Sequence, residues 1–200
     1  MILDRFTGRA KVVIVLCCLL LVVATVLFAI GFSEQVQVRK QLVQDRLKIA
    51  AGHVAGQVNG DGLLTLKPGD EGTPLYLSFA NTLHNARRNN PYVVAAYIMR
   101  VDNGTISYVI DDTYLSHGMD PSVAKIGDLI SEDKAVINAS LSGPESSPDI
   151  YTSKWGSFSS GYAPVRDSNG IVVGILGIDV TSDTVLQYEY STLFHLVEVV

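Results

Sequence analysis

Beyond residue 32 the chain has no cysteine, and its two cysteines, Cys17 and Cys18, sit side by side in an apolar run. A disulfide framework and a cysteine-ligated metal are thereby excluded from the rest of the chain. Leu16, before the pair, is too large for a lipoprotein cleavage site, which leaves the two as apolar filler of a membrane helix rather than a lipidation site. Histidine is also scarce. His53, His84, His117 and His195 show no H-x-x-x-H spacing, so no metal site is expected. The chain lacks a G-x-S-x-G elbow, a P-loop and a G-x-G-x-x-G turn, so neither catalytic residues nor a cofactor are implied.

Positive charge is in short supply as well. The net charge is −5. After Phe32, 12 Lys and Arg face 19 Asp and Glu, a net of −7. Such a surface repels phosphate backbones, which excludes nucleic acid as a natural partner.

What is present begins with a run from Val12 to Phe32 that holds no charged residue. At ~1.5 Å per residue it spans the ~30 Å hydrocarbon core of a bilayer. The rival is a cleavable signal peptide. Its apolar region runs ~7–15 residues, shorter than this one, although Ala29-Ile30-Gly31 offers a small-x-small site. Arg5, Arg9 and Lys11 before the run favour a cytoplasmic N-terminus. Arg39, Lys40, Arg46 and Lys48 after it blunt the asymmetry, but long domains translocate largely regardless of charge. The expected organisation is a cytoplasmic 1–11, a membrane helix 12–32, an extracytoplasmic domain 33–185 and a C-terminal helix 186–200.

Ser33 to Asn59 reads as one helix with an apolar stripe at Val36, Val43, Leu47, Ala50, Val54 and Val58. The stripe could pack on its own domain or on a second copy. Asn59-Gly60-Asp61-Gly62 stops it. Thr73 caps a second helix with Pro74 first and Leu75, Phe79, Leu83 and Ala86 on one face. The period then changes to two. Tyr92 to Arg100 and Ile106 to Ile110 flank the hairpin signal Asp102-Asn103-Gly104-Thr105. Phe158 to Val165 and Ile171 to Val180 flank Asp167-Ser168-Asn169-Gly170, and the last strand is apolar enough to be central. Thr181 or Ser182 caps a final helix striped by Val185, Leu186, Leu193, Phe194 and Val197. Two antiparallel hairpins with flanking helices make an α+β domain. The long helix is expected on one face of the sheet. The irregular residues 111–150, with a helix after Ser131, are expected on the other; inserts of this length are usually functional.

Few residues there invite chemistry. Asp111, Asp112 and Asp120 have no calcium-loop spacing and read as turn and solvent groups. Gly161 inside a strand permits close approach of a ligand or another backbone. Gly174 and Gly177 leave room for a covering helix, and Asp179 in an apolar run needs a partner or solvent.

The run Trp155-Gly…Ser160-Gly-Tyr-Ala-Pro164…Asn169-Gly…Gly177-Ile-Asp179 resembles the extracytoplasmic Cache-type sensor domains, the PAS-like PDC fold, of prokaryotic signal-transduction proteins. Gly60-Asp61-Gly62-Leu63 with Leu66-Lys67-Pro68-Gly69-Asp70-Glu71 resembles the interhelical loop of that family, and so do Tyr97-Ile98-Met99-Arg100 and Tyr108-Val109-Ile110-Asp111 its strands. The resemblance covers about residues 33–185, as a single module. It implies a central antiparallel sheet behind a long N-terminal helix, and a small-molecule pocket between sheet and insert. Ligands in related domains are often small carboxylates or amino acids. Carried onto this chain, the pocket candidates are Tyr97, Arg100, Asp111, Tyr114, Trp155, Tyr162 and Asp179. Arg100 would fork a carboxylate, and Asp111 or Asp179 would hold an ammonium group. The full residue set of the amino-acid-binding branch is not found.

The resemblance implies a non-catalytic sensing module of a membrane receptor of the histidine kinase, cyclase or chemoreceptor type, and the apolar stripe of the long helix suggests a homodimer. Residues 192–200 resemble the start of a second membrane span, with His195 and Glu198 at its edge. Two rivals are a tethered adaptor, marked by a filled pocket and an exposed apolar patch, and a hydrolase pairing Ser159 or Ser160 with His117. The sequons at Asn103 and Asn138 are compatible with exposure outside the cell.

Overall fold

The computed structural model describes residues 8–188. The chain divides into two units, residues 1–41 and 42–200. Helix α1 (Gly8–Ala55) starts in the first and ends in the second. It is long and apolar enough to cross a membrane, with a window of mean hydropathy 3.3 in which no residue is buried among the described residues.

In the second unit the period-two segments form one antiparallel sheet. Its strands are β1 (Val93–Asp102), β2 (Thr105–Asp111), β3 (Glu145–Ser146), β4 (Tyr151–Ser153), β5 (Gly156–Arg166) and β6 (Val172–Thr181). Their order is β2-β1-β6-β5-β3, with β4 also on β5. This is the expected α+β, PAS-like arrangement, with β6 central. The β1–β2 turn places Asn103 at φ 49° and Gly104 at φ 78°, the two left-handed residues that a tight type I′ hairpin needs. At the other hairpin Asp167 accepts the backbone N–H groups of Asn169 and Ile171 at 2.9 and 2.8 Å.

Side chains alternate between the two faces of each strand. On one face Ala96, Ile98, Ala163, Val165, Leu176 and Ile178 meet Leu47, Ala51 and Ala55 of α1 and the second helix. From Val43 onward the expected stripe thus packs on its own sheet, centred on Leu47, Ala51 and Ala55, with Ala50 and Val54 only partly buried. Gly161 explains how the helix comes so close: a Cβ there would strike the Leu47 backbone carbonyl.

Helix α2 (Pro74–Arg88) is capped by Thr73, whose Oγ1 accepts the Tyr76 N–H at 3.4 Å. Tyr76, not Leu75, is buried. A tyrosine can be buried there because its hydroxyl meets the Asp111 backbone, donating to the carbonyl at 3.3 Å or accepting the N–H at 3.2 Å. The carboxylate of Asp112 fixes the same corner. It accepts the Ala96 N–H at 2.9 Å and pairs with Arg87 of α2, with His84 at 3.4 Å.

The insert is divided between the two faces rather than confined to one. Its α3 (Tyr114–His117) packs on α2, with Tyr114, Leu115 and Ile126 against the helix-face core, and the stretch that carries α4 (Lys134–Ala139) covers the other face. Ile130 and Ile137 pack on Tyr97, Met99, Ile106, Tyr162 and Ile175 of the sheet. After β6, residues 182–188 are helical, and Thr181 Oγ1 accepts the Thr184 N–H at 3.4 Å as the cap. Val185 is buried and Leu186 exposed. Leu193, Phe194 and Val197, and the span expected from Thr192, lie outside the described residues.

Candidate functional site

Hairpin register and strand parity assemble one polar cluster under the insert. Tyr97 of β1 is paired with Gly177 of β6, where a Cβ would run into the Tyr97 ring. Gly177 therefore makes room for that ring, not for a helix; the helix side is served by Gly174, which lies against Leu63. The ring reaches across β6 so that its hydroxyl donates to Asp179 Oδ1 at 2.7 Å. Ser160 of β5, the register partner of Asp179, donates to the same oxygen at 2.6 Å. Tyr151 of β4 shares a 2.8 Å hydrogen bond with the Ser160 hydroxyl. Tyr162, two residues on, donates to Asp133 at 3.1 Å.

Asp179 is only 8% exposed. Burial pushes its carboxyl up to about 6, against the two hydrogen bonds from Ser160 and Tyr97 that pull it down; Asp111 and Asp133 add repulsion. Burial likewise raises Tyr97, reinforced by the Asp179 charge. Tyr97 thus stays a proton donor throughout the ordinary pH range.

Aromatic rings enclose the acid. Tyr97 and Tyr108 meet edge to face at 5.3 Å, and Tyr108 and Trp155 at 5.5 Å. Trp155 occupies the β4–β5 turn and donates its indole N–H to the Ser122 carbonyl of the insert at 2.6 Å, pinning insert to sheet. Between these groups lies a cavity lined by Tyr97, Tyr108, Glu132, Tyr151, Trp155 and Asp179, among others. Its volume is about 20 Å³, room for about one water. Two roomier clefts, about 330 Å³ beside Arg100 and about 450 Å³ beside Gly52, lie elsewhere in the domain. Neither gathers a buried acid and aromatic rings, so chemistry rather than volume selects the Asp179 cavity.

Of the seven sequence candidates, Tyr97, Trp155, Tyr162 and Asp179 line this one cavity. The other three stand apart from it. Arg100 is on the helix face, donating through Nη2 to the Leu63 and Leu66 carbonyls at 3.0 and 3.2 Å. Its Nε is buried without a hydrogen-bond partner among the described residues. Asp111 accepts Thr113 N–H and O–H through one oxygen and the Ala124 N–H through the other. Burial raises its carboxyl. Tyr114 packs edge to face on Tyr76 at 5.1 Å. Tyr108, Glu132, Asp133, Tyr151 and Ser160 complete the cluster; the sequence offered Ser160 only as a hydrolase nucleophile and Tyr108 only within the strand resemblance, and it did not single out the other three.

Among the described residues, Ser160 does not pair with His117 and the acids of the insert form no cation cluster. The Ser160 hydroxyl is engaged by Asp179, whereas His117 Nδ1 lies 3.2 Å from the Thr113 carbonyl one turn back. Asp112 is held by Arg87, and Asp120 is held by Ser122 of its own turn, so these acids and Asp111 do not converge.

No protein-family model and no curated protein matches the chain. Solved structures do. The ligand-binding domain of the Campylobacter jejuni chemoreceptor Tlp3 in complex with L-norvaline superposes with TM-score 0.52 at 12% identity, over 80% of this chain and 60% of that one. The E. coli DcuS sensor domain gives TM-score 0.51 at 12% identity, over 76% of this chain and 97% of that one. The chain spans 65% of the Tlp3 domain in its complex with L-valine, at TM-score 0.49 and 12% identity. The fold is therefore that of ligand-binding sensor domains.

Proposed function

We propose that this chain is the extracytoplasmic small-molecule input module of a membrane signal-transduction receptor, without catalysis of its own. The observation that carries the proposal is the cavity at Asp179: a buried acid ringed by tyrosines and tryptophan, roofed by the insert, in a domain with the fold of ligand-binding sensors. Pockets for small molecules run ~300–1,000 Å³, so binding opens the roof. The Trp155–Ser122 hydrogen bond and the Tyr108–Trp155 contact are what such opening must break. Movement of Asp179 passes along β6 to residues 182–188, where Tyr188 packs on Tyr92 and lies beneath Arg46 of α1. Shifts of ~1–2 Å between packed helices are enough for such switches.

The apolar part of α1 is the membrane anchor in this reading, with the N-terminus cytoplasmic. Leu42 and Ile49 of α1 are 51% and 72% exposed and seven residues apart. That heptad spacing suits pairing with the same helix of a second copy.

A second reading, a membrane-tethered adaptor that works through a protein partner, is favoured by the small size of the cavity. A thermal-shift screen of the full chain in detergent, against small carboxylates, amines and amino acids, separates the two. A saturable rise in melting temperature supports the sensor. No response to any class favours the adaptor.

A further inference from the structure

Every charge on the cavity wall has the same sign. Glu132 and Asp179 line it, and no lysine, arginine or histidine does. Behind the wall, Asp133 holds the Tyr162 hydroxyl. Both donors that reach Asp179 go to Oδ1, which leaves Oδ2 without a donor among the described residues. A carboxylate entering here would meet two acids and no cation among the lining residues. The arginine that could have forked it, Arg100, is bound to main-chain carbonyls on the opposite face. The walls favour positive charge in a second way, because aromatic faces attract cations. The chain already shows this on Trp155, where the Lys154 ammonium lies 4.2 Å from the ring centroid. The free volume of about 20 Å³ matches a head group the size of a water molecule.

We infer that the Asp179 cavity selects a small nitrogen cation, an ammonium ion or a compact primary amine, and discriminates against ligands that carry a carboxylate. The inference rests on the sensing reading and narrows its ligand class. Asp179 Oδ2 accepts the ammonium N–H, Glu132 neutralises the remaining charge from the insert side, and the Tyr108 and Trp155 rings close over the carbon substituent. An amino acid would have to leave its carboxylate unpaired beside Glu132.

The test is thermal shift on the full chain in detergent, at matched ionic strength, with methylammonium chloride, potassium chloride, sodium butyrate and L-norvaline as probes. Methylammonium is expected to raise the melting temperature saturably while the other three do not. Asp179→Asn is expected to abolish the rise. Glu132→Gln, at a half-exposed insert position, is expected to raise the half-saturating concentration several-fold. Stabilisation by butyrate or norvaline without methylammonium overturns the cation selectivity and leaves the sensor standing. An equal response to potassium overturns the assignment to nitrogen. Silence from all four, and from the broader panel, removes both.

Discussion

The two faces of the sheet are built from the same strands to opposite ends. On the helix face polar groups are rare and, Arg100 Nε apart, answered: Asp112 has Arg87 and the Ala96 N–H, and Gly161 lets the Leu47 backbone lie against β5. On the insert face five hydroxyls and three acids lie among rings, one carboxyl is held up to about 6 by burial, and a small cavity remains. Close packing gives rigidity. Buried polar groups that are only partly satisfied cost stability. One side of each strand anchors the fold, and the other keeps a tension that a bound group can relieve.

The largest expected effect breaks the anchored side. Asp112→Ala leaves the Ala96 N–H unanswered and Arg87 without its carboxylate, at a position where the acid itself is fully buried, a loss of about 3 kcal/mol measurable by denaturant unfolding. Next comes the opposite sign on the other face. The Asp179 carboxyl is raised from 3.8 to about 6, so the folded state holds its proton more tightly than the unfolded chain does. Its stabilisation is complete below 3.8 and is lost as pH rises through about 6. Asp179→Asn keeps an acceptor for Tyr97 and Ser160 and removes the charge. The variant is expected to be more stable than the parent by about 3 kcal/mol at neutral pH, with the gap closing in acid. A gap that stays constant across that range would falsify the buried charge.

A matched pair of substitutions sharpens the contrast further. Gly161→Ala forces a Cβ onto a main-chain carbonyl that cannot turn aside, at about 1–3 kcal/mol. Gly177→Ala meets the far end of the Tyr97 ring, which can tilt toward the cavity at about 1 kcal/mol. Equal costs in thermal unfolding would mean that the two faces are equally rigid. The smallest effect is Trp155→Phe, which removes the hydrogen bond to Ser122 at about 1 kcal/mol. Faster amide exchange at Ser122, Val123 and Ala124, with the helix-face strands unchanged, is the expected signature.

Much of this division can be read in the chain itself. Asn103-Gly104 fixes a two-residue turn, and with it Met99 opposite Tyr108, which places Tyr108 under the insert. Parity does the rest: Tyr97 and Arg100 are three residues apart in one strand, so they must point to opposite faces. Parity likewise places Ser160 with Tyr162. Tyr151, Glu132 and Asp133 could not be found this way. They sit in or beside the irregular insert, where no period relates position to direction, and only tertiary contacts bring them to the cavity. Leu75 was expected inside because apolar character was ranked above a tyrosine whose hydroxyl has a main-chain partner across the fold.

Only Val180 and Thr181 separate Asp179 from the helical residues 182–188, and both are held in the sheet, Val180 opposite Val93 and Ser159, Thr181 opposite Phe158. There is no slack in that link. A coiled or looped connection would act as a damper, absorbing small displacements before they reached the helix. A paired strand behaves as a push-rod, and its gearing is set by length alone. In the proposed sensor, sensitivity and affinity would therefore be tuned apart, the first by the link and the second by the cavity.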